Sequence, residues 1–252
     1  AAKGEYLMFF NEDMFVDNDF LEKFISEYNK ISKKKSIGTI GCTIANYDRS
    51  SPLSVKTYGL SIDLMSAPTL NFNLNNIFHN TGCPFFIPRR TFMYAGGFCN
   101  NIFLYSEDID LCWRLNLYGY KHYFFPDIRI YHYGGGVIGN FSTKKLSYYI
   151  KGELNSMFNN YSSFLLPFAL IYFSIFYFCL SIAYLLSGKF KYTKVIIYSI
   201  LFELKYDLKD ILGFRRTVQS KRTIPDWKLF GRISLIPSRL RNYYYTYRYN
   251  SK

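Results

Sequence analysis

Three carboxylates fall within four positions in the stretch "FLYSEDIDLCWRLNLYGY": Glu107, Asp108 and Asp110, with aromatic and apolar residues on both sides. A cluster flanked in this way could sit on a solvated helix face or serve an active site, where a carboxylate can act as general base. The same acids also suit a helix start, where first-turn carboxylates gain about 0.3–1 kcal/mol from the macrodipole. On these residues alone both roles stay open. A second candidate is "FFNEDMF", an apolar run that ends abruptly in Asn11, Glu12 and Asp13. Hard oxygen ligands at the carboxyl edge of a sheet suit Mg2+ or Mn2+ held together with substrate phosphates. A plain polar turn after a strand uses the same residue types. The third is "IYHYGGG", in which His132, one of three histidines with His79 and His122, precedes a glycine run. It is placed either to complete a ligand set or to serve as a structural residue.

These groups need elements to hold them. "YLMFF" reads as a buried strand, and "DNDFLEKFISEYNKI" as an amphipathic helix carrying Phe20, Phe24 and Ile25. "SIGTIGCTIANY" supplies a strand, residues 48–80 hairpins and loops, and "GCPFFIPRRTFMYAGGF" a strand, a short helix and a Gly-Gly stop. The acidic stretch is the best-defined helix, with Ser106 as N-cap and Gly119 at its end. "KHYFFP" and "IRIYHY" read as two short strands. Strands alternating with helices predict an α/β layer on a largely parallel sheet. Five scattered cysteines without a CxxC pair weigh against a disulfide scaffold and a structural zinc site.

The texture changes near residue 142. Residues 1–142 hold 13 Lys+Arg and 13 Asp+Glu, whereas residues 143–252 hold 18 and 5, so the whole net charge of +13 lies in the second part. Residues 154–188 carry no charge at all, and "FLLPFALIYFSIFYFCLSIAYLL" is long and apolar enough to reach across a bilayer core of about 30 Å. The segment 193–212 shows an apolar and a charged face, as an interfacial helix does. The expected units are a domain over 1–142, membrane-associated helices over 143–214 (an apolar helix at 161–187 and an amphipathic one at 193–212), and a basic, Tyr-rich tail over 215–252. Basic residues flank the apolar helix on both sides, which fits an anionic membrane surface and leaves crossing and re-entrant arrangements both open. Beside that helix the tail's tyrosines suit an interfacial belt better than a nucleic-acid site.

In chain order these pieces resemble family 2 glycosyltransferases. "KGEYLMFFNEDMFVDNDFLEKF" is similar to the segment where a strand of that family ends in an Asp-containing metal motif. "GCPFFIPRRTFMYAGGFCNNIFLYSEDIDLCWRLNLYGYKHYFFPDIRIYHYGGG" looks like its acceptor region, and the nearest look-alikes are rhamnosyltransferase-like, membrane-associated members. The resemblance implies the C-terminal part of a GT-A (Rossmann-like) domain, truncated at its N-terminus and followed by membrane-associated helices. It implies inverting transfer from a nucleotide-diphosphate sugar to a lipid-linked or envelope glycan at the cytoplasmic membrane face. Mn2+ or Mg2+ would sit on Asp13, on Asn11, where the motif's first Asp often stands, and on His132. Asp108 takes the position of the base, with Glu107 beside it. Gly82, Gly96, Gly97, Asp110, Trp113 and Arg114 are the implied donor- and acceptor-binding residues. Most of the nucleotide pocket would lie upstream, so this polypeptide alone is expected to turn over weakly. The alternative is a catalytically incompetent membrane adaptor, or one half of a split enzyme.

Overall fold

A computed structural model describes residues 2–34, 36–46, 58–81, 84–132, 142–203, 205 and 208–239. The first part holds β1 (Tyr6–Phe9), β2 (Met14–Phe15), α1 (Phe20–Ile31), β3 (Ile37–Asn46), β4 (Leu60–Asp63), β5 (Pro68–Leu70), β6 (Phe85–Pro88), α2 (Arg89–Tyr94), α3 (Glu107–Leu117) and β7 (Lys121–His132). Four helices follow, α4 (Thr143–Asn160), α5 (Leu166–Leu186), α6 (Phe190–Phe202) and α7 (Leu208–Ser220), and then β8 (Ile233–Ser234).

The main sheet has the order β1-β6-β3-β7-β2. It is mixed, which corrects the largely parallel sheet expected above. Only β3 and β7 pair in parallel, while β6 runs antiparallel to both β1 and β3, and β2 antiparallel to β7. The two short strands expected at 121–132 form one strand with a register shift opposite Cys42 and Thr43. Pro126 lies in that shift, where its missing N–H would break the ladder, and its carbonyl accepts the Thr43 hydroxyl at 2.7 Å. Gly119, left-handed at φ 84°, ends α3 and returns the chain into β7. α3 therefore runs back along β7, and its N-terminus points to the carboxyl end of the parallel strands.

One face of the sheet packs on Phe20 and Phe24 of α1, together with Ile40, Phe86, Phe125 and Ile130. The other face packs on α3, and the same apolar core continues through α4 to α7 and on to Leu229. The boundaries expected at residues 142 and 214 therefore do not separate independent cores. The start of the expected tail is also built into the fold. β8 pairs with β4, and the Ser238 N–H donates to the buried Asp63 carboxylate at 2.6 Å. Residues 240–252, which hold all of the tail's tyrosines, lie outside the described residues.

The helix expected at 193–212 is two helices, α6 and α7, and the one expected at 161–187 starts later, with Pro167 in its first turn. Among the described residues α5 is the one helix long and apolar enough to cross a membrane, with a mean hydropathy of 2.1. It lies along the protein. Tyr177 donates to Glu153 of α4 at 2.6 Å, and Thr193 of α6 donates to the Ser181 carbonyl at 3.2 Å. Ala169, Phe173 and Tyr177 face inward, while Phe168, Ile171, Ile175, Phe178, Ile182 and Leu185 form an exposed apolar stripe.

Candidate active site

The acidic helix start is set by an unusual turn. Tyr105 and Ser106 both have left-handed backbones, at φ 64° and 69°. Such a conformation costs a residue with a Cβ about 1–2 kcal/mol, so the neighbours must hold it. Ser106 does occupy the N-cap position of α3, but its side chain makes no capping bond. The turn is clamped from α4. The Tyr105 ring stacks on Tyr149 with centroids 4.4 Å apart, and Gly152 brings the α4 backbone against it. A Cβ on Gly152 would lie 2.7 Å from the Tyr105 carbonyl oxygen and 2.9 Å from Ser106 Cβ. Gly→Ala inside a helix ordinarily stabilises by about 0.5–1 kcal/mol. Here we expect the opposite sign, a loss of about 1–3 kcal/mol from overpacking. Urea unfolding of Gly152→Ala checks this, and a stabilised variant would show that the turn is not clamped.

Beyond the turn stand Glu107 and Asp108. Burial, and then the Asp108 charge, push the Glu107 carboxyl up to about 7. Desolvation thus outweighs the helix-start effect, which acts in the opposite direction. One Glu107 oxygen, Oε2, is buried without a hydrogen-bond partner. Asp108 Oδ1 accepts the Ile109 N–H at 2.8 Å, and its Oδ2 lies 3.9 Å from Nδ1 of His79. His79 is 1 % exposed, and burial pushes its pKa down to about 4, so the ring is neutral at physiological pH. Sequence reasoning did not assign it a role, since nothing local to "FHN" shows that the fold carries it under α3. A polar layer continues below, where Asn80 donates to Thr39 Oγ1 at 2.9 Å and to the Tyr123 carbonyl at 3.1 Å. Gly41 makes room for it, since a Cβ there would lie 2.4 Å from Asn80 Oδ1.

Asp13 and His132 also meet. Antiparallel pairing sets Met14 opposite His132, and Asp13 Oδ2 lies 2.9 Å from His132 Nε2. Both side chains are about one-third exposed. Asn11 joins this turn through its carbonyl, which accepts the Met14 N–H at 3.3 Å. A carboxylate oxygen and an imidazole nitrogen, adjacent and open on one side, fit a divalent ion that takes its other ligands from water and a diphosphate. No cluster of three His, Cys, Asp or Glu side chains occurs among the described residues, so they do not form a closed protein cage.

Other expected binding residues do different work. Asp110, Trp113 and Arg114 are each 0 % exposed, so they cannot touch an acceptor. Their helical spacing from Asp108 carries them into the core behind α3. Trp113 packs edge-on to Tyr161 of α4, and Arg114 pairs with Asp110. Gly96 and Gly97, at φ 83° and 69°, close α2 in the left-handed conformation. Gly82 lies outside the described residues. A cleft of about 600 Å³ lined by Tyr6, Lys34, Arg89 and Arg90 opens at the opposite end of the sheet, away from both acidic groups.

A mixed α/β sheet with these acids toward its carboxyl end is compatible with the glycosyltransferase domain that the resemblance implies. The sequence model described as "Glycosyl transferase family group 2" matches residues 6–205, and the chain belongs to that family. Rhamnosyltransferase WbbL of Escherichia coli (strain K12) is 26 % identical over 162 residues, which are 60 % of this chain and 60 % of that protein. A solved structure of mannosyltransferase PcManGT from Pyrobaculum calidifontis, in complex with GDP-Man and Mn2+, aligns with 87 % of this chain and 61 % of its own, at TM-score 0.37 and 14 % identity. The chain thus spans about three fifths of the length of each.

Proposed function

We propose that the protein acts as, or within, an inverting glycosyltransferase that moves a sugar from a nucleotide-diphosphate donor to a hydroxyl of a lipid-linked or envelope glycan. The observation that carries this reading is the pairing, on one family 2 scaffold, of the buried Glu107 beside Asp108 at the α3 start with the Asp13–His132 pair at a strand end. In such a transfer the acceptor oxygen attacks the anomeric carbon while the nucleotide diphosphate departs. Asp108 Oδ2 takes the hydroxyl proton as that bond forms. Burial and the neighbouring Asp108 charge push the Glu107 carboxyl up to about 7, so below that pH it stands beside Asp108 as a neutral acid. Asp13 and His132 would hold Mn2+ or Mg2+, which supplies positive charge to the leaving diphosphate when bound. Calorimetry of the full-length protein with Mn2+ and a panel of nucleoside diphosphates tests this. His132→Ala should weaken Mn2+ binding by about 10-fold, and unchanged Mn2+ affinity would remove the pair from the metal site.

The same reading places the protein on the cytoplasmic face of the membrane. The exposed stripe of α5, with Lys189, Lys191 and Lys194 exposed beyond its C-terminal end, suits an anionic bilayer surface. Because its inner face packs against α4 and α6, α5 would lie in the interface with its stripe in the lipid.

A further inference from the structure

With Trp113 and Arg114 buried, the acceptor needs another surface. We propose that Phe103, Tyr105, Tyr148 and Tyr149, with Lys144 and Lys145, form an acceptor subsite for a pyranose ring bearing a phosphate or diphosphate; this rests on the transferase reading above.

The six residues come from two segments that meet at the candidate base. Phe103 packs on Tyr148 with centroids 5.7 Å apart, and Tyr105 stacks on Tyr149. Lys144 Nζ stands 5.9 Å from the Tyr148 ring and Lys145 Nζ 5.5 Å from the Tyr105 ring. Phe103 is nevertheless 80 % exposed. A phenylalanine so open, beside stacked tyrosines and two ammonium groups, combines an apolar platform with anion-binding charge. The C–H face of a pyranose lies on aromatic rings, and the lysines serve as point charges for a phosphate. None of these lysines has a carboxylate partner among the described ion pairs.

Position argues the same way. Tyr105 lies two residues before Glu107, and the left-handed turn aims the segment. Tyr149 lies close enough to feel the Asp108 charge, one of the smaller causes, after burial, that push its hydroxyl up to about 12. A sugar on this platform would present a hydroxyl toward Asp108. The platform is also continuous with the lipid-facing helices through α4, whose Ser147 bonds Ser199 of α6 at 2.8 Å.

The test uses the full-length protein and two sets of probes: hexose and N-acetylhexosamine 1-phosphates, and their farnesyl-diphosphate-linked counterparts in mixed micelles. Saturation-transfer NMR and calorimetry read binding, and initial rates read acceptor and donor KM. The expected result is that Phe103→Ser with Tyr148→Ser, and separately Lys144→Ala with Lys145→Ala, weaken probe binding and raise acceptor KM by about 10-fold. Donor KM, Mn2+ affinity and the melting temperature should stay close to the parent's. Phe103→Tyr and the Lys→Arg pair should restore binding, a rescue that a merely structural role would not predict. Tighter binding of the prenyl-linked set identifies a lipid-borne acceptor, and equal binding a soluble sugar phosphate. Probe binding that depends on these residues in a protein showing no transfer would sink the transferase reading and keep the subsite. Transfer that is indifferent to both double variants, or no binding of any probe, overturns the subsite.

Discussion

Asp108→Asn in the full-length protein abolishes sugar transfer, lowering the rate by about 10²–10⁴-fold, the usual contribution of a positioned general base. Donor affinity should stay within about twofold, because Asp108 lies at the α3 start and not in the Asp13 turn. An amide keeps the size of the side chain and its Oδ1 acceptor for the Ile109 N–H, so the helix start is preserved while the proton acceptor is lost. The neighbour gives an independent readout. Glu107 is neutral below about pH 7 and ionised above it, so rising pH places a second negative charge beside Asp108. The transfer rate should therefore change through an inflection near pH 7 that belongs to the acid pair as a unit. Glu107→Gln should erase the inflection and leave residual transfer. A carboxyl with a raised folded pKa costs stability as pH rises from its ordinary 4.5 through about 7, and Glu107→Gln flattens that slope. Full activity in Asp108→Asn would transfer the base role elsewhere, with Glu107 the next group to test.

What could be read in advance followed the range of each signal. The acid pair, the His132–Asp13 partnership and the apolar helix were legible because each rests on local pattern or on the resemblance in chain order. Helical phase was the weak point. "EDIDLCWR" puts Asp108 at the rim but turns Asp110, Trp113 and Arg114 into the core, and that phase depends on where α4 packs. The clamp was hidden for the same reason. A glycine in mid-helix at "KGELN" signals close approach, yet nothing local says that Tyr105 and Ser106 approach it. The paired amides of "FNN" likewise satisfy Asp110 in the fold, a pairing across 49 and 50 residues that no local pattern announces. The mixed sheet escaped notice because strand direction depends on how the chain crosses, and the hairpin-and-loop segment between β3 and β6 carries no helix that would bring the next strand back in parallel.

The largest effect on stability is expected at Asp110. Both partners of the Asp110–Arg114 pair are fully buried, and the two Asp110 oxygens divide the work. Oδ2 accepts Arg114 Nε at 2.9 Å and stands 2.7 Å from its Nη2. Oδ1 accepts the Asn159 and Asn160 amides of α4 at 3.0 and 2.9 Å. The guanidinium also donates through Nη1 to the Ala95 carbonyl at the end of α2 and lies 5.1 Å from the Phe214 ring of α7. The Asp110–Arg114 pair therefore joins the end of α2 with α3, α4 and α7. Asp110→Ala leaves a buried cation without its counter-charge and two amides without an acceptor, and such a loss costs about 3–5 kcal/mol. Asp110→Asn should recover little of it, because the amide keeps one acceptor oxygen but not the charge. Against a total stability of about 5–15 kcal/mol this is a large fraction, so both variants should unfold at markedly lower urea concentration. Replacing Asp110 and Arg114 together by apolar residues of similar size should restore part of the loss, because no isolated charge then remains buried. A single Asp110→Ala variant that unfolds within about 1 kcal/mol of the parent would show that water reaches the guanidinium. α3 and α4 would then be held by their apolar contacts, with the ion pair contributing little.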